Sequence, residues 1–192
     1  MVRRYRKDPV SDEVIERILR VIRHSPTAGF SQGQRLLVIT DEETRDRVAE
    51  ITKSRDGAKE LDEWISHAPV HVALCVDESA YRKRYDAPDK VLQDGRKIPW
   101  PVPFWWFDAG ALLMALQLAA INEGLVSGFF HPGLPEKVEE LAQVIEVPDG
   151  AELAGILTIG YAADSPHVPD PRLATMRVPL GNLVRWQRPP SP

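Results

Sequence analysis

Ser25-Pro26-Thr27-Ala28-Gly29-Phe30-Ser31-Gln32-Gly33-Gln34-Arg35 joins an amphipathic helical pattern to an apolar strand, Leu36-Leu37-Val38-Ile39. Before it, Ser11 is a good helix N-cap, and Asp12-Glu13 suit the positive end of a helix dipole. Val14, Ile18, Leu19 and Ile22 then share one face, which predicts a helix to about His24. Pro26 prevents its continuation. Small and amide-bearing residues after it present backbone N–H groups with little steric bulk. Such a loop suits a flat, polar-edged ligand, although a plain connecting turn uses the same residue types.

The composition supports a single folded unit around this opening. The chain has 192 residues, 43% hydrophobic and 27% charged, enough for one domain that buries roughly 70% of its unfolded surface. A net charge of −4 argues against bulk nucleic-acid binding. The single cysteine, Cys75, lies in an apolar run and forms no internal disulfide, so a reducing compartment is compatible. The N-terminus is Arg-rich with no apolar core after it, unlike a signal peptide. The most apolar segment, Ala109 to Ile121, is about 13 residues, short of the ~20 that span a membrane. The expectation is a soluble, cytoplasmic protein that engages no membrane and no nucleic acid.

Further along, Thr40 and Glu43 have capping-box spacing and predict a second helix through Ile51. A third short helix fits Lys59 to Ser66. Pro69 ends it, and Val70 to Val76 reads as a buried strand. Residues 85–104 break every periodicity with Pro88, Gly95, Pro99, Pro101 and Pro103, as functional lids do. Asp108 then reads as the cap of a helix that is apolar nearly all round, Ala109 to Ile121, which needs cover on most sides, part of it open to a subunit interface in a chain this small. Gly124 stops it. Leu125 to Phe130 reads as extended, Pro135 opens a helix with Val138, Leu141, Ala142 and Ile145 on one face, and Leu153 to Tyr161 is β-like. The chain is thus read as one domain, 1–192, with a lid-like loop over 85–106 and a C-terminal arm over 162–192.

Three patterns carry little. His67 and His71 have the i, i+4 spacing of a helical zinc site, but Pro69 lies between them, so no metal is expected. Gly29 and Gly33 lack the Gly-Lys-Ser/Thr of a phosphate-binding loop. Cys75 has no evident base to make it a nucleophile.

The loop resembles that of the FMN-dependent nitroreductase family, usually Pro-Ser-Ala-x-Asn-x-Gln-Pro-Trp. Pro26, Thr27 in place of Ser, Ala28 and Gln32 match, while Phe30 replaces Asn and Gly33-Gln34 replace Pro-Trp. Arg3-Arg4-Tyr5 with Pro9-Val10, Asp108-Ala109-Gly110, Glu123-Gly124-Leu125, Leu157-Thr158-Ile159-Gly160-Tyr161 and Arg177-Val178-Pro179-Leu180 match further family segments in order and spacing. The resemblance implies an α+β fold, a central β-sheet flanked by helices, dimeric with a C-terminal arm and with flavins at the interface. It implies FMN held through Arg3, Arg4 and Arg177 at the phosphate and through Pro26, Thr27, Ala28 and Gln32. The segment Gly128-Phe129-Phe130-His131-Pro132-Gly133 would lie against the ring, with backbone donors near its redox-active nitrogen and Phe129, Phe130, His131 and Gly133 as contacts. The family's opening Arg-Arg-Ser-x-Arg is shortened here: Met1 takes the Ser place and Arg3 the last Arg. Either an earlier start supplies the missing arginines, or Arg4, Arg6 and Arg177 serve.

The family resemblance also places Trp100, Trp105 and Trp106, on the lid-like loop, near a substrate. Aromatic rings there would stack on a planar acceptor or merely anchor the loop. The expected activity is hydride transfer from NADH or NADPH through bound FMN to an electrophilic acceptor such as a nitroaromatic or quinone, with no catalytic side chain required. The alternatives are a flavin-binding carrier or sensor without turnover, and an enzyme of the same fold that uses a deazaflavin or consumes its flavin.

Overall fold

The computed structural model describes residues 2–53, 64–99, 102–164 and 172–187. Helix α1 (Asp12–Leu19) starts behind Ser11 and passes into a 3-10 turn at Arg20–Arg23. The loop then leads into β1 (Gln34–Ile39), α2 (Glu42–Thr52), β2 (Val70–Val76) and α3 (Glu78–Tyr85). The long α4 (Phe104–Asn122), β3 (Val126–Phe130), α5 (Pro135–Val144) and β4 (Glu152–Gly160) follow, then short helical turns at Arg172–Thr175 and Leu180–Leu183.

The four strands form one antiparallel sheet in the order β1-β2-β4-β3. Its centre is apolar on both faces because helices cover both. Val70, Val72, Leu74 and Val76 face a core shared with Ile15 and Ile18 of α1 and Leu112 and Leu116 of α4. Ala73 and Cys75 face the opposite core, with Val48 of α2 and Leu141 of α5. This period-2 alternation turns the continuous apolar run 70–76 into a strand buried on both sides. The expected fold, a central sheet flanked by helices, is observed.

Three local expectations need correction. Asp41, not Thr40, caps α2, since its carboxylate accepts from the Thr44 N–H at 2.8 Å. Tyr85, expected to open the lid-like loop, instead ends a helix over 78–85, in which the Asp77 carboxylate accepts from Ala80 N at 3.2 Å and Tyr81 fills the core. Helix α4 begins four residues before Asp108, behind Pro103, so Trp105 and Trp106 lie on its first turn rather than on an extended loop. Of the cover that the composition of α4 calls for on most sides, the chain itself supplies one side. Trp105, Ala109, Leu112, Leu116 and Ala120 are buried, whereas Phe107 is 73% exposed and Met114, Leu118 and Ile121 are 56–60% exposed. With 19 residues this helix has the length and composition to cross a membrane, but it packs against all four strands. Of the third expected helix, 64–67 is helical and 59–63 lies outside the described residues.

Candidate functional site

The residues singled out in the sequence fall into two groups on opposite edges of the sheet. The loop enters β1, and Phe130 ends β3. Register sets them apart along the strands as well, since Gln34 is level with Val76 and Glu152 at one end of the sheet, whereas Phe130 pairs with Ile156 and is level with Ala73 and Leu37, midway along β1. Two strands lie between β1 and β3, a separation of roughly 14 Å at the usual strand spacing.

The loop is rigidly built. Gly29, Phe30 and Gln32 all adopt left-handed backbone, with φ of 62°, 61° and 53°. For phenylalanine and glutamine this is uncommon and is the kind of strain that gathers at ligand clamps. A Cβ on Gly29 would stand 2.6 Å from the Tyr85 ring. The backbone donors expected to face a ligand are largely consumed inside the protein. Ala28 N donates to Asp108 Oδ2 at 2.7 Å, Phe30 N to Thr27 O at 2.8 Å, Ser31 N to Ala28 O at 3.2 Å and Gln32 N to Thr27 Oγ1 at 3.1 Å. Ser31 Oγ donates to Ala28 O, and Arg84 Nε donates to Gly29 O. What the loop turns outward is the Phe30 ring, 74% exposed, while the Ser25 hydroxyl is buried without a partner.

At the β3 edge, Val2 N donates to Ser127 O at 2.9 Å and draws the N-terminal segment along the strand. Tyr5, Thr158 and Gly128 lock it there. Tyr5 Oη lies 2.8 Å from Thr158 Oγ1, which donates to Gly128 O at 3.2 Å. Burial pushes the Tyr5 hydroxyl above its ordinary range. A Cβ on Gly128 would come within 2.7 Å of both the Trp64 ring and Val2 O, so only glycine allows this approach. The Arg3 guanidinium lies over the Trp64 ring at 6.0 Å, and its Nε is buried without a partner. A buried, unpaired guanidinium donor is costly, and an anionic or carbonyl oxygen would satisfy it. Arg4 is exposed, and Arg6 is paired with Asp8 at 3.0 Å and lies over Tyr161.

The other expected contacts are placed less simply. Phe129 and Phe130 are half-buried on opposite faces of the sheet, one in each core, Phe130 edge-on to Trp64 at 5.7 Å. His131 and Gly133 are exposed, but Gly133 N donates to His131 Nδ1 at 3.1 Å, so that backbone donor is engaged locally. Pro26 and Thr27 flank the rigid turn. Trp105 is buried against Tyr81, with ring centroids 6.1 Å apart and Arg82 over it, so helix packing removes it from any acceptor. Trp106 is 39% exposed. Trp100 lies outside the described residues. Arg177 sits in a stretch, 175–187, in which every residue is exposed.

Sequence reasoning missed three residues that shape the site. Asp108 Oδ2 accepts from Tyr81 Oη at 2.8 Å as well as from Ala28 N, and Gln34 Nε2 donates to Tyr81 Oη at 3.1 Å. Burial, with the hydrogen bond and charge of Asp108 adding to it, holds the Tyr81 hydroxyl far above its ordinary range, so it stays a donor. The partners lie 27 and 80 residues from Asp108, beyond the reach of any local pattern.

The Nitroreductase family model matches residues 1–161. A protein named NADH dehydrogenase from Thermus thermophilus is 24% identical over 97% of this chain and 91% of its own length. An FMN reductase [NAD(P)H] from Bacillus subtilis is 25% identical over 85% of this chain and 62% of its own. The structure of an NADPH:FMN oxidoreductase from Vibrio harveyi complexed with NAD+ superposes with a TM-score of 0.70, covering 99% of this chain and 74% of that one at 15% identity, a likeness of fold.

Proposed function

The chain belongs to the nitroreductase family, and from that premise we propose that it is a cytoplasmic, homodimeric oxidoreductase that binds FMN and passes hydride from NADH or NADPH to an electrophilic acceptor such as a nitroaromatic or quinone. The relatives named as an FMN reductase and an NADH dehydrogenase support the cofactor and the reductant. FMN, when bound, supplies the two-electron chemistry.

The observation that carries the assembly is the division of the candidate site. The rigid loop 25–33 enters β1 at Gln34, whereas the group around Arg3 and Gly128 stands on the opposite edge of the sheet, with Gly128 level, through Thr158 and His71, with Ile39 at the far end of β1. A second copy supplies the missing half, one chain giving the loop and the other the β3 edge. The apolar stripe Phe107, Met114, Leu118 and Ile121 and the arm's Leu173, Met176, Val178, Leu180, Leu183 and Trp186, all exposed, are the surfaces such an association covers. Arg3 fits the flavin phosphate through its unsatisfied Nε, and Arg177 reaches it from the arm. Trp106 and Phe30 are the exposed rings that stack on an aromatic acceptor.

The test is direct. Purified protein should show the visible absorption of a flavin, or gain it on adding FMN. Anaerobic mixing with NADH or NADPH should bleach it, and a nitroaromatic or quinone should restore it. A protein that neither quenches FMN fluorescence nor shifts its melting temperature with FMN would sink the reading. A monomer at micromolar concentration by light scattering would sink the shared site.

A further inference from the structure

Asp108 is 7% exposed, Gln34 6% and Tyr81 0%, and one oxygen, Asp108 Oδ2, accepts from both Ala28 N and Tyr81 Oη. Four elements thus meet at one point: α4 supplies the carboxylate, the loop the amide, α3 the phenol and β1, through Gln34, the donor that fixes the phenol. The amide it holds is the one immediately before the left-handed run at Gly29, Phe30 and Gln32. Those three conformations are unfavourable alone and persist only when the surroundings over-determine them. The other ties are bonds within the loop, from Phe30 N, Ser31 N and Gln32 N; Asp77 N to Gly33 O at 2.7 Å, at the loop's exit; Arg35 Nη1 to Gln32 O; and Arg84 Nε to Gly29 O, from an arginine also bound to exposed Asp89. Asp108 is the buried side chain that holds the start of the left-handed run, and it stands on the helix whose outer face is the exposed apolar stripe.

We propose that Asp108 is a positioning residue: through Oδ2 it holds the loop 27–33 in the strained form that meets the flavin, with Tyr81 and Gln34 fixing its carboxylate for that task. The idea rests on the FMN-binding reading above. A loop free to leave this form binds with an affinity reduced by the fraction of time it is correctly set. Because both donors converge on a single oxygen, the geometry rather than the negative charge is the requirement. An amide oxygen in the same place should serve.

Three variants separate these roles. Asp108→Asn keeps an acceptor at the Oδ2 position. Asp108→Leu removes it and strands both donors. Asp108→Leu with Tyr81→Phe and Gln34→Leu removes the stranded hydroxyl together with the Gln34 amide that donates to it, so the fold has a second route to survive while Ala28 N still lacks its acceptor. Amide hydrogen exchange over 27–33, in flavin-free protein, reads the loop. FMN fluorescence quenching reads affinity, and thermal melting reads global stability. In both Leu variants exchange at Phe30, Ser31 and Gln32 should rise about 10-fold or more and FMN affinity should fall about 10-fold. Asp108→Asn should stay near wild type in both.

Lower melting temperatures with unchanged loop exchange and FMN affinity would make Asp108 ordinary packing and overturn the proposal. So would faster loop exchange without loss of FMN affinity, or an Asn variant as impaired as Leu. A wild-type protein that binds no FMN overturns the functional reading instead. The flavin-free exchange comparison then still decides whether Asp108 sets the loop.

Discussion

Lowering the pH should weaken the fold through one residue, His71. It sits on β2 with no exposed surface, edge-on to Phe130 at 6.4 Å. Its Nε2 lies 2.8 Å from Ile65 O and donates to it, which leaves Nδ1 as a bare acceptor with no partner. Burial pushes its pKa down to about 4, against the Ile65 hydrogen bond and with the charge of Arg45 adding to the fall. The unfolded chain takes up a proton near pH 6.5, whereas the folded one resists until about pH 4. Stability due to neutral His71 is therefore complete above pH 6.5 and is lost as the pH falls toward 4. Between pH 7 and pH 4.5 the loss is about 2 kcal/mol by proton linkage. Carboxylates titrate in the same range, so the assay compares wild type with His71→Gln, whose amide keeps a donor for Ile65 O and does not titrate. Urea unfolding of both at each pH should show wild type losing about 2 kcal/mol more than the variant. Parallel losses, or a His71 imidazole titrating near 6.5 by NMR in the folded protein, would refute the reasoning. Because Phe130 leads directly into His131–Gly133, the acid-sensitive region adjoins the candidate flavin segment.

Three further outcomes are expected. Arg3→Ala removes a charge-assisted contact worth roughly 1.5–3 kcal/mol, so FMN affinity should fall about 10- to 150-fold while riboflavin affinity barely changes; equal losses for both would deny Arg3 the phosphate. Leu118→Glu, in the exposed apolar stripe of α4, should shift sedimentation to the monomer, and an unaltered dimer would place the interface elsewhere. The Cys75 thiol, fully buried with its pKa pushed up to about 11 by that burial, should resist a disulfide reagent at pH 8 until urea unfolds the chain; prompt labelling of native protein would contradict its placement.

The sequence announced elements whose burial is regular. Val70 to Val76 and Leu153 to Tyr161 are long apolar runs, and both are strands close to their expected bounds. Helix α3 was hidden because only Tyr81 is buried among the charged residues of 78–85; its sole local signal was Asp77 three residues before Ala80. The prolines at 99, 101 and 103 and the aromatic run after them disguised the start of α4, although a helix beginning directly behind a proline is ordinary. Asp108 before an apolar run looks like a cap, and nothing nearby reveals that its donors come from Tyr81 and Ala28. Strand order is likewise invisible locally. The matching segments 26–32 and 128–133 looked like parts of one pocket, yet the sheet puts two strands between them.

That division has a genetic consequence. If each pocket takes its loop from one chain and its β3 edge from the other, a chain damaged at 27–33 and a chain damaged at Arg3 are not equally hopeless together. Paired with each other, they assemble one wholly intact pocket and one doubly damaged pocket. Two inactive alleles expressed in the same cell should therefore complement, whereas two alleles damaged in the same half should not. The spacing of strands across one sheet thus determines which lesions rescue each other.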